Sequence, residues 1–288
     1  MPQVTIQNYL SLIKFSHTVF ALPFAIIGFL LGTQNANAAI NWKLFCLVLF
    51  CMVFARSAAM AFNRYIDRHI DKVNPRTFVR EIPSGIIHPA AALAFVIVNC
   101  LLFITCTYFI NTLCFYLSPV ALAVVLGYSY TKRFTPLCHL ILGAGLALAP
   151  IGAYLAVTGE FALLPLYFSF AVLFWVSGFD IIYALQDEEF DRSHNLRSIP
   201  VMMGTKSALN LSTALHVISA VLIVIPIFAA HLGMWYWVGA AIFIGLLIYQ
   251  HSLVKVDDFS KLNLAFFTTN GIASVVFAVF FVLDFFLK

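Results

Sequence analysis

The segment NRYIDRHID carries Asn63, Asp67 and Asp71 at i, i+4 and i+8, a spacing that places all of them on one face of a helix. Further along, DIIYALQDEEFD places Asp180, Asp187 and Asp191 at offsets of seven and eleven, again one face if the helix runs on beyond its apolar part. Carboxylates clustered this closely repel one another and lose hydration near lipid, so the pattern costs free energy unless a cation compensates. Mg²⁺ suits that role: it prefers oxygen, takes one or two carboxylates from a protein, keeps some waters and shares its remaining sites with phosphate oxygens. Two such half-sites facing each other would hold a diphosphate through bridging ions.

Basic residues for the remaining phosphate charge stand close by. Arg64, Arg68 and Lys72 alternate with the first cluster, and Lys132 and Arg133 close a later apolar run. A single cluster would be equally well explained as a solvated helix end on which Asp67, Arg68, Asp71 and Lys72 pair as surface charges. A second cluster at an equivalent helix end weighs against that reading.

The elements that must carry these residues are set by composition. With 62% hydrophobic and 10% charged residues, the 288-residue chain has too little polar surface to coat a soluble fold. Apolar runs long enough to span a bilayer lie near Ser16 to Gly32, Lys43 to Ala61, Ala90 to Ile110, Leu113 to Tyr130, Leu137 to Val157, Leu163 to Tyr183, Ala208 to Ala230, Tyr236 to Ser252 and Leu264 to Leu287. Unpaired backbone amides are not tolerated in hydrocarbon, and the alternation of a membrane barrel is absent, so these nine runs predict an all-α integral membrane protein. An apolar stretch ahead of Ala36-Asn37-Ala38 imitates a cleavable signal, but its basic flank is only Lys14, and a signal-anchor is the better reading.

Arg64, Arg68, Lys72, Arg76, Arg80, Lys132, Arg133, Arg192, Arg197, Lys206, Lys255 and Lys261 fall in the loops after the second, fourth, sixth and eighth spans, against Lys43 and Lys288 opposite. The positive-inside rule then predicts a multi-pass protein of the cell inner (cytoplasmic) membrane, with its acidic clusters facing the cytoplasm. The net charge of +4 reflects that topology and attraction to anionic membrane lipid, and nothing in the pattern predicts a nucleic-acid partner. The six cysteines form no CxxC pair and read as small core residues, and His88, His139, His216, His231 and His251 are scattered. The clusters end the second and sixth spans, so two four-helix blocks plus a ninth helix is the economical description, forming one transmembrane domain over residues 1–288.

These residues together resemble the UbiA superfamily of membrane prenyltransferases. Asn63, Asp67 and Asp71 meet its NxxxDxxxD signature, and Asp180, Tyr183, Ala184, Asp187 and Asp191 meet the DxxYAxxDxxxD signature of the quinone-forming branch. Arg76, Thr77 and Arg80 match an RTxxR segment, and Tyr128, Lys132 and Arg133 a YxxxKR stretch. The segments KFSHTVFALPFA and REIPSG are similar to a bacterial subgroup described as 4-hydroxybenzoate polyprenyltransferase-like, some members of which resemble the prenyltransferase of the futalosine route to menaquinone. One departure is Ser193, beside Arg192, where members related to the 4-hydroxybenzoate enzymes often carry Lys.

The resemblance implies Mg²⁺-dependent transfer of a polyprenyl group from polyprenyl diphosphate to an aromatic acid acceptor in quinone biosynthesis: 4-hydroxybenzoate first, a naphthoate-type acceptor as the alternative. It implies one ion on Asn63, Asp67 and Asp71 and another on Asp187 and Asp191, with Asp180, the deepest, orienting or deprotonating the acceptor. Lys132 and Arg68 are expected at the diphosphate with Arg133, and Arg76 and Arg80 on a mobile covering loop. Lys14 or His17 would meet an acceptor carboxylate, and Tyr128 and Tyr183 would hydrogen-bond a substrate, although interfacial His and Tyr are common without any such role. An ion-coupled transporter is the rival from another class, but its substrate site belongs at the midplane on broken helices, whereas these acids sit at helix ends. A non-catalytic membrane scaffold would be indifferent to neutralising Asp67 and Asp187.

Overall fold

The computed structural model describes residues 5–14, 20–230 and 232–287. Its helices are α1 (Ile6–Leu12), α2 (Leu22–Asn35), α3 (Trp42–Val73), α4 (Pro89–Ile110), α5 (Thr112–Thr131), α6 (Cys138–Thr158), α7 (Leu163–Ala184), α8 (Glu188–Ser193), α9 (Ile199–Ala229), α10 (Met234–Leu253) and α11 (Asn270–Leu287). Among the described residues, 8 helical segments are long and apolar enough to cross a membrane. The predicted count of nine is therefore not reproduced. The first predicted span corresponds to α2, whose 14 residues reach only about 21 Å against a hydrocarbon core of about 30 Å.

Several boundaries follow from single residues. Asn111 alone separates α4 from α5: its side chain accepts from the Cys114 N–H at 2.8 Å, capping α5, while its amide donates to the Leu155 carbonyl of α6 at 2.8 Å. The 32 residues of α3 extend about 48 Å, so its last turns leave the apolar slab with Asn63, Asp67 and Asp71. The helix of α7 does not run unbroken into the second acidic cluster, as one-face spacing assumed. A 3₁₀ turn at Leu185–Asp187 intervenes before α8 and tightens the pitch, rotating Asp187 and Asp191 relative to Asp180. α9 is two helices joined at Gly204, whose φ of 74° and ψ of 163° suit only glycine, and the polar Thr205, Lys206 and Ser207 that follow put the start of the apolar run at Ala208.

The helices pack α2 on α6, α6 on α7, α7 on α9, α3 on α4 and α10 on α11. At the α2–α6 crossing, Gly28 lies so close that a Cβ would stand 2.0 Å from the Pro150 carbonyl oxygen. Between α7 and α9, Ser212 Oγ donates to Gly178 O at 2.7 Å and Ser219 Oγ to Ala171 O at 2.8 Å, satisfying hydroxyls where no water reaches. Phe24, Phe168, Trp175, Tyr236, Phe243 and Phe277 are fully buried and fill the centre with edge-to-face and tilted aromatic contacts. At the acidic end, Leu12 and Ile13 pack with Ala58, Ala61, Ile82 and Ile87, so α1 and the 74–88 loop form a cover over α3. The Ser11 hydroxyl donates to the buried Glu81 carboxylate and pins that cover.

Candidate active site

Both acidic clusters open onto one cavity of about 590 Å³. The end of α3 supplies Asn63, Asp67 and Asp71; the end of α7 supplies Asp180 and Tyr183; the 3₁₀ turn and α8 supply Asp187 and Asp191. Lys132 and Arg133 enter from the end of α5, Arg76 and Arg80 from the 74–88 loop, and Lys14 from the end of α1. The α8–α9 linker holds Lys132 in place: Arg197 N donates to the Lys132 carbonyl at 2.7 Å, and Arg197 Nη1 to Phe134 O at 2.9 Å.

Each of four aspartates meets one cation. Arg133 contacts Asp67 at 2.8 Å, Arg80 contacts Asp71 at 2.6 Å, Arg76 contacts Asp187 at 2.5 Å and Lys132 contacts Asp191 at 2.7 Å. Asn63 Nδ2 adds a hydrogen bond to Asp67 Oδ2 at 3.1 Å. Asp191 is fully buried, and Asp71 and Asp187 nearly so. Such burial is tolerable only because each carboxylate has a charged partner. Burial opposes the Arg76 charge, but the hydrogen bonds and attraction of Asp187 outweigh it and hold the guanidinium above its ordinary pKa.

Asp71 Oδ2 and Asp191 Oδ2 are buried without a hydrogen-bond partner among the described residues. Oxygen lone pairs left open in this way, on opposite walls of one cavity, fit Mg²⁺. No three His, Cys, Asp or Glu among the described residues come close enough to hold an ion by themselves. Asn63, Asp67, Asp71, Asp187 and Asp191 therefore suit a metal that completes its shell from phosphate and water.

Arg68 departs from expectation. Its Nη1 donates to the Tyr65 carbonyl at 2.6 Å and its guanidinium lies 4.4 Å from the Tyr65 ring centroid, away from the cavity wall. It shares a helix face with Arg64, so packing onto Tyr65, and not spacing along α3, takes it out of the cavity. His17 lies outside the described residues. Lys14 does line the cavity.

Arg64, one turn before Arg68, takes the inward place and is buried. Arg56 also lines the cavity, two turns deeper than Asn63 and on its face, and the Nε of both arginines lacks a hydrogen-bond partner among the described residues. A charge inside the apolar run from Lys43 to Ala61 was the available signal for Arg56. No sequence signal singles out His139, which meets Asp180 across 41 positions at 2.6 Å.

Phe20, Phe179, Tyr183, Phe266 and Phe267 also line the cavity, with Tyr183 and Phe266 stacked at 4.0 Å. A π-helical turn at Leu264–Thr269 presents Phe266 and Phe267 there. Tyr128, Arg56, Met60, Leu142 and Leu146 are shared with a second chamber of about 350 Å³, otherwise lined by apolar residues such as Val48, Phe103, Leu117, Val124, Gly145 and Gly152. A polar, charge-lined chamber thus leads past Tyr128 into an oily one.

A membrane-embedded helical bundle with a bipolar cavity, acidic and basic at one end and apolar beyond, defines an enzyme class that brings anionic head groups on long apolar tails to acid-lined sites. Residues 21–272 match the UbiA prenyltransferase family, and the chain belongs to that family. It is a membrane prenyltransferase. It is 28% identical over 244 residues, 84% of each chain, to a 4-hydroxybenzoate octaprenyltransferase of Aliivibrio fischeri strain MJ11. It is 26% identical over 244 residues to one from Coxiella burnetii strain RSA 493, covering 84% of each chain. The apo structure of a UbiA homolog from Aeropyrum pernix K1 superposes with a TM-score of 0.85 at 32% identity, covering 93% of this chain and 98% of that one. A UbiA homolog from Archaeoglobus fulgidus bound to GPP and Mg²⁺ shares the fold, with a TM-score of 0.75 at 24% identity over 96% of this chain and 99% of that one. Membership in this family removes the transporter and scaffold readings.

Proposed function

We propose that the chain transfers a polyprenyl group from polyprenyl diphosphate to an aromatic acid, 4-hydroxybenzoate first, in quinone biosynthesis. The observation that carries the reading is the convergence of Asp67, Asp71, Asp187 and Asp191 with Lys132, Arg133, Arg76 and Arg80 on one cavity that continues into an apolar chamber. The names of the curated relatives and the ligands of the Archaeoglobus homolog agree with it.

When bound, Mg²⁺ supplies neutralisation of the diphosphate and so a better leaving group. Asn63, Asp67 and Asp71 hold one ion, and Asp187 and Asp191 the other. Lys132 and Arg133 contact diphosphate oxygens through charge-assisted hydrogen bonds, and Arg76 and Arg80 close over them from the 74–88 loop. As the allylic carbon–oxygen bond weakens, the aromatic wall of Phe179, Tyr183, Phe266 and Phe267 faces developing positive charge with its ring electrons and keeps water out. Asp180 stands on the acceptor side, and Lys14 or Arg56 meets the acceptor carboxylate. The polyprenyl tail occupies the apolar chamber. We read the molecule as one domain of two four-helix halves plus a ninth helix, with the acidic ends of the halves meeting, set in the inner membrane with the site toward the cytoplasm.

The test is product analysis by mass spectrometry on membranes supplied with polyprenyl diphosphate, Mg²⁺ and either 4-hydroxybenzoate or a dihydroxynaphthoate. Prenylated 4-hydroxybenzoate with matching pyrophosphate release is the expected result. A prenylated naphthoate alone reassigns the acceptor to the menaquinone route, and absence of both products refutes aromatic prenyl transfer.

A further inference from the structure

His139 occupies the second position of α6 and is 3% exposed, and the reaction drawn above gives it no part. Its Nδ1 lies 2.6 Å from Asp180 Oδ2. On the other side of the ring, the backbone N–H of Ile199 points at Nε2 from 3.4 Å. Ile199 is the first residue of α9, so this N–H has no carbonyl one turn earlier to bond. An N–H aimed at Nε2 meets a lone pair there when the ring hydrogen sits on the opposite nitrogen. The ring hydrogen is thereby assigned to Nδ1, which donates to Asp180.

The backbone beneath the pair is held as firmly as the ring. Ser177 Oγ reaches the His139 carbonyl at 3.2 Å and the Leu173 carbonyl at 2.7 Å, tying α6 to α7. Gly143, one turn along α6, lies so near α7 that a Cβ would stand 2.4 Å from Leu173 O. Asp180 itself lines the cavity, and its Oδ1 receives no hydrogen bond from any described residue. One oxygen is fixed and one is left for a ligand.

We propose that His139 is the positioning residue of the acceptor half-site. By donating to Oδ2 it fixes the orientation of the Asp180 carboxylate and aims Oδ1 at the hydroxyl of the aromatic acceptor. The inference rests on the reading of the chain as an aromatic prenyltransferase. As the ring carbon beside the hydroxyl forms its bond to the prenyl carbon, the prenyl carbon–oxygen bond breaks and its electron pair leaves with the diphosphate. The hydroxyl proton passes to Asp180 Oδ1. It returns when the substituted ring carbon loses its hydrogen, so the net proton departs with pyrophosphate and the carboxylate is regenerated.

The test compares His139→Leu, His139→Gln, Asp180→Asn and the double variant His139→Leu/Asp180→Asn as full chains in detergent or membranes, with kcat, separate KM values for donor and acceptor, and thermal unfolding. The proposal expects His139→Leu to lower kcat roughly 10- to 100-fold with the donor KM and unfolding midpoint unchanged. His139→Gln, which keeps an N–H for Asp180, restores most of that loss. Leucine at 139 costs nothing further once Asp180 is Asn, because the effect runs through that carboxylate. Unchanged kcat in His139→Leu overturns the proposal. So does a variant in which kcat and the unfolding midpoint fall while the donor KM rises and Gln is no better than Leu, the signature of a packing residue. If the unaltered protein makes no prenylated aromatic acid, the functional reading itself fails; if it does and the variants match it, only the role of His139 fails.

Discussion

Arg76 and Asp187, separated by 111 positions in the chain, meet side by side: Nε donates to Oδ1 at 3.0 Å and Nη2 to Oδ2 at 2.5 Å. The remaining arm of the guanidinium, Nη1, donates to the Tyr183 hydroxyl at 3.1 Å. One side chain thus fastens the 74–88 loop to the end of α7, closing the cavity from above. A planar fork suits this double contact and a lysine ammonium does not. Arg76→Lys is expected to lower kcat/KM about 10-fold, or about 1.4 kcal/mol of transition-state stabilisation, although the charge is retained. Steady-state kinetics on the purified variant decide it, and wild-type kcat/KM would show that the fork is dispensable.

Asp67 and Asp191 stand on opposite walls, and each already has a cationic partner. Replacing either with Ala is expected to abolish turnover while the protein still inserts and elutes as the wild type does. Chelating divalent ions with EDTA has the same consequence, and added Mg²⁺ reverses it. Near-normal turnover in either variant refutes the assigned metal roles.

Gly152 lines the apolar chamber, and a Cβ there would meet nothing within 4 Å. Phe at this position has room to project into the chamber without disturbing its own helix. Gly152→Phe is expected to keep activity on short prenyl diphosphates and to lose it progressively on longer ones. A product-length series by mass spectrometry checks this, and an unaltered length profile would place the tail elsewhere.

Gly28 has the opposite surroundings, with the Pro150 carbonyl 2.0 Å from where a Cβ would stand. Gly28→Ala forces α2 away from α6 and is expected to cost at least about 1–3 kcal/mol, with Gly28→Leu failing to assemble. Thermal unfolding in detergent measures the first. A wild-type midpoint would mean that the crossing is loose.

At the far end of the bundle, Asp284 of α11 accepts from the N–H groups of Gly233 and Tyr236 at 2.8 and 3.3 Å and so caps α10 from another helix. Asp284→Ala leaves those donors buried and is expected to cost about 1–3 kcal/mol, with catalysis at permissive temperature preserved. Asp284→Asn keeps an acceptor oxygen and should lose less. Equal stability of all three proteins would show that water replaces the cap.

The chain's own pattern determined that it is helical, that it belongs in lipid, and that its reactive acids cluster at two helix ends. Those properties are local: apolar run length decides what can span, and spacing of four along one helix decides that Asn63, Asp67 and Asp71 share a face. Tertiary structure decided the rest, because which inward-facing groups meet depends on how separate helices cross. Nothing local distinguishes Arg64 from Arg68, yet packing turns the first into the cavity and the second onto Tyr65. Thirty phenylalanines look alike in the sequence, and only the π-helical turn before α11 selects Phe266 and Phe267 for the cavity wall. The contact of His139 with Asp180 likewise exists only because α6 and α7 lie close enough for Ser177 to bridge them.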